Sequence, residues 1–261
     1  MIPMPKFSIV MPVHDVDTRW LEKAVDSVIG QTYGDWELCA VDDASSFQEI
    51  RAVLEAFARR DSRIRVAILD RNMGIAMASN RALQMATGEY IAFLDDDDEL
   101  HPACLEEVAE LISRDRGVDI IYTDEDKLDL QGNRSGAVIK PGWSPDLFLT
   151  YNYLCHLVVC RRSLVQGIGG FRAGFDGSQD YDLLLRLTEI TDRIAHIPKI
   201  LYHWRTIPGS AASRVDAKPY AFERSKKALW DALSRRKIDS VVTDGDAVGK
   251  FKVIPRDTTK G

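Results

Sequence analysis

Residues 89–100 read EYIAFLDDDDEL. The first half, Tyr90 to Leu94, is short and apolar, the pattern of a buried strand. The second half sets four aspartates and a glutamate directly at its end. Carboxylates crowded this closely repel one another, and each is driven toward keeping its proton unless something positive sits among them. Two readings stand: a solvated acidic turn, or a site built for a cation.

Working outward from that stretch, the same unit of apolar strand and polar loop recurs upstream. Phe7 to Val13 (FSIVMPV) is a short β-branched run closed by Pro12, and Trp36 to Val41 and Ile64 to Leu69 repeat the pattern. Between them lie helical stripes. Leu21, Ala24, Val25, Val28 and Ile29 recur at helical spacing before Gly30, and Ile50, Val53, Leu54 and Phe57 follow a capping-box pair, Ser46 and Glu49. Ile75 to Thr87, stopped by Gly88, and Pro102 to Arg114 are two further helices. Four alternations of strand and helix predict an α/β fold, a mostly parallel sheet with helices on both faces.

In such sheets ligands sit beyond the carboxyl ends of the strands. Those ends carry Pro12-Val13-His14-Asp15, Asp42-Asp43, Asp70-Arg71-Asn72-Met73-Gly74 and the aspartate cluster. A solvated loop explains any one of them and explains four together poorly. An all-oxygen site favours Mg²⁺ or Mn²⁺, shared between carboxylates and the phosphates of a substrate. A nucleoside diphosphate is therefore the implied ligand. Neither a P-loop nor a GxGxxG follows the first strand, so an NTPase and a dinucleotide enzyme are not indicated.

The chain has 261 residues, 45% hydrophobic and 28% charged, with a net charge of −6, which suits a globular protein and not a nucleic-acid binder. No apolar run reaches the length of a membrane span, and the first residues lack a signal-peptide core. Cys39, Cys104, Cys155 and Cys160 show no CxxC spacing and read as reduced core residues of a cytoplasmic protein, neither zinc ligands nor disulfides. After Asp124 the alternation stops, and Gly, Pro and aromatic residues gather in KPGWSPDLFLTYNYL. Residues 1–124 and 125–240 are thus expected to form two halves, with 241–261 an extension or linker. Residues 218–237 return to a helical pattern and are basic: a solvated face, or a contact with an anionic membrane.

The segments SIVMPVHD, SVIGQTYGDWELCAVDDAS, RNMGIAMASNRAL and TGEYIAFLDDDDEL, in that order, resemble the nucleotide-sugar half of a family 2 glycosyltransferase of the A-type fold. GGFRAGFDGSQDYDLLLRLTE resembles the same family's acceptor half, and the likeness runs from about Phe7 to Ser210. It implies a metal-dependent, inverting transferase that moves a sugar from a UDP-, dTDP- or GDP-linked donor to a glycan or lipid-linked glycan, in bacterial cell-surface polysaccharide or O-antigen assembly. Such an enzyme would work in the cytoplasm, at the inner face of the membrane.

The resemblance also assigns residues. Pro12, Val13 and His14 would lie against the nucleotide base. Asp43 would accept from a base N–H, or form an Asx turn. Asn72 and Gly74 fall in the loop beneath the donor, and Arg81 would reach a phosphate or an aspartate. Asp97 would bind the metal, with Asp95 and Asp96 meeting ribose, sugar, the metal or its water. Asp98 and Glu99 would cap the following helix. Asp180 would be the general base, because Gln179 stands where the family's first acidic residue stands and cannot take a proton. Asp180 as a mere helix cap is the rival reading. Ile207 occupies the family's late metal-binding histidine position in WRTIPGS, which leaves His203 as a substitute ligand. Trp143, with Gln179, is the candidate acceptor contact. The chain would be a module of a longer protein or the companion of a partner enzyme. A non-catalytic nucleotide-sugar module and a sugar nucleotidyltransferase are the alternatives.

Overall fold

The computed structural model describes residues 6–207, 219–247 and 249–256. Lys218, expected in the basic helix, lies outside the described residues. The chain runs β1 (Phe7–Val13), α1 (Thr18–Ile29), β2 (Trp36–Asp42), α2 (Gln48–Arg60), β3 (Ile64–Ile68), α3 (Ile75–Met85), β4 (Tyr90–Phe93), β5 (Glu99–Leu100) and α4 (Cys104–Arg114). It continues through β6 (Ile120–Leu128), β7 (Arg134–Val138), α5 (Pro145–Phe148), β8 (Val158–Arg161), α6 (Arg162–Gly167), α7 (Gln179–Leu187), β9 (Ile194–Arg205), α8 (Pro219–Arg235), β10 (Ser240–Asp244) and β11 (Phe251–Pro255).

Strand order in the main sheet is β3-β2-β1-β4-β8-β6-β9-β5, with β7 paired to β6. The first four strands are parallel; β8 then enters antiparallel between β4 and β6. Successive side chains leave a strand on opposite faces, so each strand feeds two cores. Ile9 and Met11 join Leu21, Leu54 and Leu105 under α1, α2 and α4, whereas Val10 and Ile91 join Ala78, Leu184 and Leu229 under α3, α7 and α8. Each such fully buried aliphatic side chain contributes about 1.5–3 kcal/mol, which fixes the sheet and leaves its carboxyl edge free to carry charge.

Local details differ from the sequence reading in places. The Ser46–Glu49 capping box does not form: α2 starts after Phe47 without a side-chain cap. Ser46 instead gives its amide and hydroxyl to Asp15, at 2.6 and 3.2 Å, and so ties the loop after β2 to the loop after β1. β10 and β11 pair antiparallel, and a hydrogen bond from the Phe251 amide to the Thr150 carbonyl at 2.7 Å joins β11 to the body. On basic α8, Lys226, Lys227 and Arg235 pair with Asp244, Asp231 and Glu189. These are ion pairs at the surface, and Lys227 remains more than half exposed. Among the described residues no helix is long and apolar enough to cross a membrane.

Candidate active site

Two clefts open at the carboxyl edge of the sheet, one on each side of the aspartate cluster. The first, about 750 Å³, is lined by His14, Asp15, Arg19, Asp96, Asp97 and Ile207, among others. The second, about 580 Å³, is lined by Pro12, Ser79, Asp95, His156, Gln179 and Asp180 over an apolar floor.

The loop after β1 lines the first, and the loops after β2 and β3 brace that loop through Ser45 and Asn72. Asp43 is 2% exposed, and its two carboxylate oxygens accept the amides of Met73 and Gly74 at 2.7 and 2.8 Å. Its observed work is therefore to hold the 72–74 loop, which keeps one lone pair on each oxygen for a further donor. Gly74 sits at φ +85°, and a Cβ there would lie 2.8 Å from Asp176 Oδ1, so only glycine fits. Asn72 Nδ2 lies 2.8 Å from His14 Nε2, and the His14 amide donates to Asp96 Oδ2 at 3.0 Å. Val13, in contrast, is buried in the core, one residue short of the cleft.

The four aspartates divide their roles. Asp98 is fully buried and accepts from the Tyr202 hydroxyl at 2.6 Å and the Arg205 amide at 2.7 Å. Glu99 pairs with the buried Arg205 guanidinium. Neither caps α4, whose first turn has no side-chain cap; both are drawn to β9, which pairs with β5. Asp97 is pushed up to about 6 by burial and by Asp95. Asp96 is raised well above the usual carboxylate range, by loss of solvent and then by Asp97. Asp95, half-buried, has its Oδ2 3.7 Å from His156 Nε2. Carboxyls that hold protons so strongly, with oxygen the donor element throughout, fit a hard divalent cation.

Asp180 lies in the first turn of α7, whose N-cap is Ser178. Its Oδ2 accepts from Asn152 Nδ2 at 3.0 Å, and it is half-buried on the wall of the second cleft. Gln179 beside it accepts the Gly177 amide at 2.6 Å. Asp182 faces away, fully buried between Arg172 and Arg186.

His203, Arg81 and Trp143 also stand away from the clefts. His203 is buried with Nδ1 2.6 Å from Asp126 Oδ1, its ring edge-on to His101, so it does not replace the histidine missing at Ile207. The strand's period of two is the reason: Tyr202 and Trp204, not His203, turn toward His156. Arg81 is exposed on α3, hydrogen-bonded to Gln84 at 3.4 Å, and lines neither cleft. Trp143 packs on Phe148 and Tyr153 in an aromatic cluster behind the second cleft.

Other site residues escaped the sequence reading. His156 stacks on Tyr202 at 5.0 Å and faces Asp95. Beneath it, buried Lys140 pairs with Glu125 at 3.2 Å and donates to the carbonyls of Leu154 and His156, which pins the loop. The available signal was a lone histidine interrupting the apolar run YLCHLVV.

Comparison with known proteins places this geometry. The sequence profile of glycosyl transferase family 2 matches residues 8–165. The O-antigen biosynthesis protein RfbC of Myxococcus xanthus is 40% identical over 239 residues, which are 92% of this chain and 19% of RfbC. The chain spans between 19% and 33% of the lengths of three such curated relatives. In structure it is similar to S. aureus TarS 1-349 in complex with UDP-GlcNAc, with a TM-score of 0.70 at 20% identity, over 87% of this chain and 66% of that one. It is also similar to the mannosyltransferase PcManGT from Pyrobaculum calidifontis in complex with GDP-Man and Mn2+, with a TM-score of 0.64 at 16% identity, over 94% and 66% of the two chains.

Proposed function

The chain belongs to glycosyl transferase family 2, with an A-type glycosyltransferase fold, and from that premise we propose that it transfers a sugar, with inversion, from a nucleoside diphosphate to a glycan acceptor in cell-surface polysaccharide or O-antigen assembly. The observation that carries this reading is the joining of Pro12, Asp95, Gln179 and Asp180 in one cleft, with Asp96 and Asp97 on its neighbour.

In this reading the base of a UDP-, dTDP- or GDP-linked donor rests against Pro12 and His14 and over the 72–74 loop, which Asp43 holds in shape. Residues 1–124 meet the donor, and residues 125–240 meet the acceptor. Asp97, with Asp95, would hold Mn²⁺ or Mg²⁺, and water completes the site where Ile207 replaces the family histidine. When bound, the cation supplies neutralisation of the leaving diphosphate. Asp180 takes the proton of the acceptor hydroxyl as that oxygen attacks the anomeric carbon. Gln179 has no capacity to do so and serves to position the acceptor. A single carboxylate base with no enzyme nucleophile gives one displacement, hence a β product from an α donor. The chain acts as one module of a longer protein or beside a partner enzyme.

A second reading keeps donor binding and denies turnover. Gln179 and Ile207, both lining the clefts, are the features that favour it. One experiment separates the two. The chain is given labelled nucleotide sugars with and without Mn²⁺, beside Asp97→Ala, and turnover and donor Kd are both read. Metal-dependent turnover of a β product, lost in Asp97→Ala, is the expected result. Metal-dependent binding without turnover of any donor would favour the second reading, and equal UDP affinity in EDTA and in Mn²⁺ would overturn the metal site.

A further inference from the structure

Cys155, His156 and Asp180 form a constellation that sugar transfer does not use in full. Each offers a ligand atom, and the three atoms lie within 4.8 Å of one another. All three residues are half-buried on the wall of the second cleft. Cys155 and His156 come from the loop before β8, and Asp180 from the first turn of α7. The sequence spacing of the cysteines gave no hint of this, because the ligands converge in space and not along the chain.

Asn152 braces the group. Its Nδ2 lies 3.0 Å from Asp180 Oδ2 and 3.4 Å from Cys155 Sγ. The group also holds unused hydrogen-bonding capacity: His156 Nδ1 and Asn152 Oδ1 are buried without a hydrogen-bond partner, with the Glu125 carboxylate 3.8 Å from Nδ1. Buried polar atoms are nearly always bonded, and an exception points to an ion or water that belongs there. The donor set is informative too. Sulfur, imidazole nitrogen and one carboxylate oxygen suit a borderline-soft cation, whereas the oxygen set of Asp95 to Asp97 suits Mg²⁺ or Mn²⁺. Three protein ligands would leave a fourth, tetrahedral position for water.

We propose that Cys155, His156 and Asp180 bind one zinc-class cation, and that this cation inhibits transfer by occupying the carboxylate of Asp180. On binding, the Cys155 S–H bond breaks and an S–metal bond forms, and the proton leaves to solvent. The imidazole enters neutral, Asp180 gives one oxygen, and no electron changes hands. The inhibitory consequence rests on the reading of Asp180 as base; the binding does not.

Co²⁺ serves as the probe, added to the full chain with Mn²⁺ present to fill the oxygen site. A thiolate-to-cobalt charge-transfer band should grow in the near ultraviolet to one equivalent, be displaced by Zn²⁺, and be absent in Cys155→Ser and Cys155→Ala. Cys39, Cys104 and Cys160 are buried and should stay silent. Asn152→Ala leaves the three ligands in place and should weaken cobalt binding roughly 10- to 100-fold, as loss of an outer-shell partner does. No thiolate band in the wild type, or a band that survives both Cys155 variants, overturns the site. The band is read whether or not the chain turns over a donor, so its outcome is independent of the proposed transfer. A band with turnover unchanged by Zn²⁺ overturns the inhibition.

Discussion

Asp180 is held in place by Asn152, and its neighbours are spoken for. Asp182 is locked between Arg172 and Arg186, and Asp176 accepts the Ala76 amide at 3.1 Å. Asp180→Asn keeps the volume and an oxygen at the first turn of α7 but removes the ability to take a proton. We expect donor Kd by calorimetry to stay near wild type while transfer falls by roughly 10²-fold or more. A rate within a few-fold of wild type would remove Asp180 from the role of base, and a lost Kd would show Asp180 shaping the donor pocket. At this scale the sequence was legible in type and not in assignment. The run Asp95 to Asp98 announced a charged site, yet one member faces His156, one holds the His14 amide, one is crowded toward its proton, and one is a buried anchor for β9. Adjacent residues on a turn point in different directions, and only the partners that the fold brings, His14, His156 and residues 202–205, decide which is which.

At the scale of elements, β6 is anchored by the residue just before it. Asp119 is fully buried and accepts from Arg161 at 2.8 Å, Thr191 at 2.6 Å and Arg193 at 2.9 Å. Burial alone would raise its carboxyl; those hydrogen bonds outweigh it and hold the group below the usual carboxylate range. A lowered folded value stabilises above the unfolded value, about 3.9, and that stabilisation is lost as pH falls through the folded value. Asp119→Asn should therefore lower stability at pH 7 by roughly 1–3 kcal/mol, and the gap from wild type should narrow as pH falls below about 4. Urea unfolding of both proteins at pH 7 and pH 3 checks this, and an equal gap at both would remove the carboxylate from the account. The strands and helices upstream were legible because apolar period and glycine stops agree there. The entry of β8 between β4 and β6 was not, since a four-residue apolar strand carries no record of its partners. The buried Lys140–Glu125 pair was hidden for the same reason: both residues look like solvated charge until the fold closes over them.

For the molecule as a whole, the boundary near residue 124 falls inside β6, and β8 seals the open edge of β4. A fragment of residues 1–124 would leave that edge bare, with Tyr90, Ile91 and Ala92 ready to pair with another chain. We expect it to associate on size-exclusion chromatography where the full chain does not. A monodisperse fragment with a cooperative unfolding transition would show instead that the first half folds alone. The ties across the sheet also set an order in time. The Arg205 amide that anchors Asp98 follows it by 107 residues. At a synthesis rate of about 5–20 residues per second, that interval lasts roughly 5 to 20 seconds. Through it, a nascent chain carries the Asp98 carboxylate before its anchors on β9 exist. Each new molecule thus passes through a brief acidic adolescence, in which any loose divalent cation in the surrounding fluid meets the carboxylates first and the protein's own arginine arrives second.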